Sequence, residues 1–357
     1  MHAPVLQIHR KEKAMKILLC FLKTLLAGFV AIIIISMALC FYSITPVHVK
    51  NSRGNTDYVW ESNSWWVSMT EGVSFGRYDK AGYNNKKVIE DPDIIILGSS
   101  HMEATNVLQH ETTSYLLGEK LKEKYTVYNL GISGHNFEKV CQYLPVNLDL
   151  YSESSKVVII ETSNVNITED AVERILNNNV KYTESQTSSL MIFLQKIPFL
   201  RRLYHQMEGG LLDVFLPSSS KTDTPKQAEA EIQIDETIDQ APYDNLFQYL
   251  QSLEEKYNTQ IIIFYHPTET LNKDGTISFP NDEHKNIFSK TAKNHEITFI
   301  DMTQTFEEMY DTDHHVPHGF ITGQIGSGHL NRYGHRAIAD SLYDAISTLE
   351  KENLICN

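Results

Sequence analysis

Asp93-Ile94-Ile95-Ile96-Leu97-Gly98-Ser99-Ser100-His101 is the stretch that decides how this chain is read. Four consecutive large aliphatic residues between an aspartate and a glycine leave no position for a polar face. Such a run is a short strand buried on both sides, as in parallel sheets covered by helices. Small hydroxylated residues follow it at once. A serine at a strand-to-helix turn exposes its hydroxyl at a helix N-terminus, and parallel α/β sheets gather their reactive groups at the carboxyl ends of strands. Ser100 is therefore the first candidate for chemistry.

Working outward, the same signature recurs at Tyr125-Thr126-Val127-Tyr128-Asn129-Leu130, Lys156-Val157-Val158-Ile159-Ile160, Gln260-Ile261-Ile262-Ile263-Phe264-Tyr265 and Ile297-Thr298-Phe299-Ile300. Helical periodicity lies between and after these runs, at 103–124, 135–150, 243–257, 283–294 and 331–350. Alternating strands and helices predict an α/β fold of three layers, α/β/α, with a central parallel sheet. The interval 165–242 breaks the rhythm and reads as an insertion. It carries an apolar helical stretch near Leu190–Leu203 and a polar linker from Ser218 to Gln240. No internal repeat is present. The expected organisation is a basic flank at 1–23, a transmembrane helix at 24–42, a juxtamembrane region at 43–90 and the α/β domain at 91–352.

The N-terminal assignment rests on charge. Arg10, Lys11, Lys13 and Lys16 precede an apolar segment, and no charged residue occurs from Thr24 to Tyr42. As a helix this segment spans roughly 28 Å, close to the hydrocarbon thickness of a bilayer. Lys23 stands at its edge, where a long side chain can snorkel to the headgroups. The basic flank predicts a cytoplasmic N-terminus and an extracytoplasmic remainder. A cleaved signal would have a shorter apolar region and a small-x-small cleavage site, which is not evident before Tyr42. Residues 1–50 carry a net charge of +5 against −14 for the chain, leaving −19 beyond them. That acidity disfavours nucleic acid as a partner. Cys20 and Cys40 fall in or beside the apolar segment, so Cys141 and Cys356 do not make a disulfide framework. Cys141 reads as a buried small hydrophobe. The aromatics of 43–90, Tyr58, Trp60, Trp65, Trp66, Phe75, Tyr78 and Tyr83, suit either packing onto the domain or the membrane interface.

Three further strand-end segments carry groups of catalytic type. Asn129-Leu130-Gly131-Ile132-Ser133-Gly134-His135-Asn136 has glycines that let backbone N–H groups approach a ligand. Glu161-Thr162-Ser163-Asn164 supplies an amide side chain, and Gly328-His329-Leu330-Asn331 precedes the last helix. The Gly131–Gly134 spacing lacks the full dinucleotide fingerprint. Asp311-Thr312-Asp313-His314-His315-Val316-Pro317-His318 has metal-ligand residue types, but its proline and the following glycine read as a loop bordering the site. No metal and no cofactor are expected. His335 is expected to serve packing on the last helix.

In order and spacing these blocks resemble the SGNH (GDSL-type) hydrolase superfamily over roughly 90–350. Gly98-Ser99-Ser100 matches the Gly-Asp-Ser block with serine for aspartate. Gly134 matches the second block, and Asn164 alone matches the third. His329 and Asn331 match the final Asp-x-x-His-x-Asn. The resemblance implies Ser100 as nucleophile and His329 as base, with the N–H groups of Ser100 and Gly134 and the Asn164 amide as oxyanion hole. The acid expected three residues before His329 is replaced by Gly326. Three readings follow: a main-chain carbonyl of Ile325–Gly328 orients the histidine, a carboxylate such as Asp311, Asp313 or Glu161 replaces the acid, or the site only binds. One N-terminal span followed by such a domain resembles components of polysaccharide O-acetylation and teichoic acid D-alanylation. This implies an esterase or O-acyltransferase acting on a cell-envelope glycan, with the bilayer and a multispan membrane acyltransferase as partners. The alternative is a non-catalytic glycan-binding or assembly subunit.

Overall fold

The computed structural model describes residues 3–42, 46–69, 71–151, 154–177, 197, 238–280 and 282–355. The expected helical stretch near Leu190–Leu203 lies outside these residues apart from position 197, and the polar linker lies outside them up to position 237. The chain divides into two compact units. The first contains helix α1 (Ala3–Tyr42), whose segment Met15–Ala38 has a mean hydropathy of 2.7 and is long and apolar enough to cross a membrane. It begins before the expected Thr24, because Lys16 and Lys23 are the only charges it takes in.

The second unit starts at Thr45 and holds the remaining elements. Its first part has two antiparallel pairs, β1 (His48–Lys50) with β2 (Tyr58–Trp60) and β3 (Trp65–Ser68) with β4 (Ser74–Arg77). Then come β5 (Ile94–Leu97), α2 (Ser100–Glu103), α3 (Thr113–Leu121), β6 (Val127–Asn129), α4 (Phe137–Tyr151), β7 (Val157–Thr162) and α5 (Glu169–Leu176). After the insertion follow α6 (Ala241–Tyr257), β8 (Gln260–Tyr265), β9 (Thr270–Leu271), β10 (Ile277–Ser278), α7 (Glu283–Asn294), β11 (Thr298–Asp301) and α8 (Thr303–Asp313). The chain closes with β12 (His318–Gly319), β13 (Ile325–Leu330) and α9 (Arg332–Lys351).

All five expected strands form one parallel sheet in the order β11-β8-β7-β5-β6. Side chains alternate between its faces. Ile95, Leu97, Val158, Ile160, Ile261 and Ile263 join Leu144, Leu148, Leu246, Leu250 and Phe288 in a core shared with α4, α6 and α7. Ile94, Ile96, Val157, Ile159, Ile262 and Phe264 join Leu117, Phe306, Ile338, Leu342 and Ile346 in a core shared with α3, α8 and α9. Burial on both faces explains why the strands read as unbroken apolar runs. Cys141 is fully buried in the first core, and burial pushes its thiol well above its ordinary pKa.

Residues 46–90 pack in the same unit as the sheet. Trp60, Trp66 and Tyr78 form a buried cluster, and Tyr83 enters the core, while Trp65 and Phe75 stay exposed. Asn85 lies along the outer edge of β6. Its amide donates to Asn129 O (2.9 Å) and accepts from Asn129 N–H (3.0 Å), satisfying main-chain groups that an edge strand would leave open. β6 and β7 flank β5 on opposite sides, so the order of strand addition reverses at β5/β7, and ligands of open α/β sheets bind at such switch points.

Candidate active site

Gly98 ends β5 where a side chain cannot fit: a Cβ there would lie 2.6 Å from Met102 Cγ and 2.7 Å from Glu161 Oε2. Ser99 caps α2, its hydroxyl accepting from His101 N–H at 3.2 Å. Ser100 becomes the first helical residue, half-buried. Facing it is His329 on β13, two residues before the Asn331 cap of α9. His329 Nε2 lies 2.9 Å from Ser100 Oγ.

The other ring nitrogen corrects the sequence-based expectation. His329 Nδ1 lies 2.8 Å from Glu71 Oε2, and Glu71 Oε1 accepts the His329 main-chain N–H at 2.6 Å. No carbonyl of Ile325–Gly328 takes the Nδ1 proton. Asp311 and Asp313 are exposed at the end of α8, and Glu161 faces elsewhere: its Oε1 lies 2.7 Å from His266 Nε2 and its Oε2 accepts Ser99 N–H at 2.6 Å. Glu71 stands in the turn between β3 and β4, a segment read from the sequence as juxtamembrane. That turn is tied down by Asn106, whose amide donates to Glu71 O (3.0 Å), and by Thr322, whose hydroxyl accepts Gly72 N–H (2.8 Å). Gly328 lets it approach, since a Cβ there would lie 2.2 Å from Glu71 Oε1. Nothing local marked Glu71. An acid before a glycine between two short strands has the pattern of any solvated turn.

The expected oxyanion donors are placed as follows. The loop after β6 docks onto α2, with Ile132 N–H donating to Gly98 O (3.0 Å) and Ser133 N–H to Glu103 Oε2 (2.6 Å). Gly134 sits in this loop at φ +83°, where an L side chain is strained. Asn164 is exposed at the carboxyl end of β7, beside β5. Its Oδ1 accepts Asn166 N–H (2.9 Å). Asn331 serves the frame: it caps α9 through Oδ1 and donates to Val316 O and Gly319 O.

Histidines concentrate behind the serine. His101, His266 and His318 meet with ring nitrogens within 4.8 Å of one another, a set that could hold a metal ion. His335 on α9 is buried; its Nδ1 lies 2.9 Å from Thr113 Oγ1, and burial lowers its pKa to about 3. Glu103 beneath the loop is buried as well. Burial raises its pKa, against the bonds it accepts from Ser133 N–H and Tyr78.

No protein-family model matches the sequence, and no curated protein matches it. Solved structures with a similar course of chain include acetyl xylan esterase AlAXEase, at 15% identity and TM-score 0.36, covering 71% of this chain and 99% of that one. The esterase EstA from Pseudoalteromonas sp. is similar at 14% identity and TM-score 0.37, over 72% and 98% of the two chains. The acetylxylan esterase Axe2 from Geobacillus stearothermophilus is similar at 14% identity and TM-score 0.35, over 72% and 95%. At such identities and scores no residue role transfers from these proteins to this chain.

Proposed function

We infer that the second unit is an acyl-ester enzyme, an esterase or O-acyltransferase, with Ser100 as nucleophile, His329 as base and Glu71 as the group that orients the base. The observation that carries this reading is the unbroken path Ser100 Oγ, His329 Nε2, His329 Nδ1, Glu71 Oε2, with separations of 2.9 and 2.8 Å. A carboxylate on Nδ1 keeps the proton there and leaves the Nε2 lone pair aimed at the hydroxyl.

Ser100 Oγ attacks the acyl carbonyl carbon and passes its proton to Nε2. The imidazolium so formed is stabilised by Glu71. Charge developing on the carbonyl oxygen is met by the N–H groups of Ser100 and Gly134 and the Asn164 amide, each worth about 10²–10³ in rate in comparable sites. Collapse expels the alkoxide, which takes the proton from Nε2 and leaves Ser100 acylated. Water or a sugar hydroxyl then gives its proton to Nε2, attacks the acyl-enzyme, and frees Ser100. Hydrolysis and transfer differ only in this second acceptor.

Helix α1 serves as a membrane anchor with the second unit outside, placing the enzyme near cell-envelope glycans and a multispan acyl donor. The basic residues before the apolar segment and the acidic remainder support this orientation. Protease added to intact spheroplasts should digest the chain beyond residue 50, and protection of that region excludes the arrangement. For the chemistry, purified full-length protein should release p-nitrophenol from a short-chain ester and be labelled by a fluorophosphonate. Absence of both favours a glycan-binding subunit.

A further inference from the structure

His266 follows β8 and His318 opens β12; neither side chain is exposed. Each imidazole is held from behind by a buried carboxylate. Glu161 Oε1 lies 2.7 Å from His266 Nε2, and Glu269 Oε2 lies 2.6 Å from His318 Nδ1, with Glu269 Oε1 also accepting His318 N–H at 3.1 Å. A carboxylate accepts hydrogen bonds, so these two nitrogens carry hydrogens. In the neutral rings the remaining nitrogens, His266 Nδ1 and His318 Nε2, therefore present lone pairs, and they face each other at 3.3 Å.

Two lone pairs at that distance repel unless a positive centre lies between them. Two buried carboxylates, Glu161 and Glu269, stand against this pair, and among the described residues no Lys or Arg is bonded to either. One shared proton would balance only one of them. A divalent cation balances both. Tetrahedral zinc with Zn–N of about 2.05 Å places its ligand nitrogens about 3.3–3.4 Å apart, which is the separation found. His101, next to Ser100, brings a third nitrogen within 4.8 Å. Leu330 N–H bonds to His101 Nδ1 at 3.2 Å.

We propose that His266 Nδ1, His318 Nε2 and His101 form a buried binding site for a divalent cation of zinc type, with Glu161 and Glu269 as the carboxylates that orient the ligands. Imidazole ligands suit zinc, and carboxylate-backed histidines are the usual support of such sites. The ion joins the carboxyl ends of β5 and β8 to β12. His318 pairs with Leu330 beside His329, so the ion braces both the serine and the base from behind. Its burial makes it a positioning element that does not touch substrate.

The test uses full-length protein purified in detergent with a non-histidine tag and no chelator. Elemental analysis should find about one zinc per chain. After chelation, Co²⁺ should restore one equivalent with the visible absorption of tetrahedral nitrogen ligation and raise the thermal midpoint. His266→Ala and His318→Ala should abolish binding. If these variants do not fold, Glu161→Gln and Glu269→Gln keep all three ligands and should weaken Co²⁺ affinity about 10–100-fold. Wild-type protein that holds no metal and takes up neither Zn²⁺ nor Co²⁺ overturns the proposal in favour of a proton-sharing histidine pair. Metal retained in His266→Ala and His318→Ala overturns it as well. Metal content is read independently of ester cleavage, so this test stands whatever the outcome at Ser100.

Discussion

Glu71 and His329, 258 positions apart in the chain, are joined twice: one carboxylate oxygen accepts the histidine's main-chain N–H and the other faces Nδ1. The double contact fixes both the position of the strand and the tautomer of the ring. Glu71→Gln keeps the shape but lets an amide NH₂ face Nδ1, which favours the wrong tautomer. Turnover should fall by about 10⁴, the loss seen when the equivalent acid of a serine-protease triad becomes an amide. Asp311→Asn and Asp313→Asn should leave kcat essentially unchanged. Steady-state ester hydrolysis on folded variants checks this, and a large loss at either aspartate with none at Glu71 contradicts the assignment.

The two adjacent serines separate by role. Ser100→Ala should abolish fluorophosphonate labelling, because Ser100 Oγ is the hydroxyl bonded to His329 Nε2. Ser99→Ala should retain labelling and lose about 1 kcal/mol of stability, since it removes only a helix cap. Intact-protein mass spectrometry distinguishes the two, and labelling that follows Ser99 instead reverses the roles.

Gly328 has φ +86° and lies under the Glu71 carboxylate. Gly328→Ala should cost about 1–2 kcal/mol in backbone strain. It should also push Glu71 off His329 and bring kcat down toward the Glu71→Gln level. Restoring an acid three residues before the histidine is not expected to help. Gly326 has φ +76°, and a Cβ there would lie 2.8 Å from Leu271 Cδ1, so Gly326→Asp should lower stability without raising turnover. Thermal melts and kcat measured together check both variants; unimpaired kcat in Gly328→Ala would show that Glu71 is dispensable.

Glu254 on α6 gives a prediction in pH. Burial raises its pKa to about 7, against the bond it accepts from Ile261 N–H, with Glu255 and Glu296 raising it further. The unfolded value is near 4.3. Between these values the folded chain holds the extra proton, so this group's contribution is full below about pH 4 and is lost as pH rises toward 7. Denaturant unfolding of wild type should show that decline, and Glu254→Gln should flatten it and be the more stable protein at pH 8. An unchanged pH slope in the variant removes Glu254 as its source.

Local pattern and long-range packing contributed different parts of this protein. The five strands and their helices were legible because each apolar run is set by burial along one element, and period and length are visible within about ten residues. Ser100 and His329 stand out as candidates in the sequence because each has a fixed offset from a strand or helix end, while their 2.9 Å approach is a product of the fold. Sheet order was not, since nothing in the run at Ile94–Leu97 states which strands flank it. Glu71 was hidden because its partner is 258 residues away and its own turn has no distinguishing periodicity. His266 was passed over for a comparable reason. It follows a strand as one histidine among fifteen, and only the folding of β8, β12 and α2 around Glu161 and Glu269 turns its ring toward His318. Burial patterns are one-dimensional and survive in sequence; the pairing of charges across a core depends on which surfaces meet, and that is decided only when the whole unit packs.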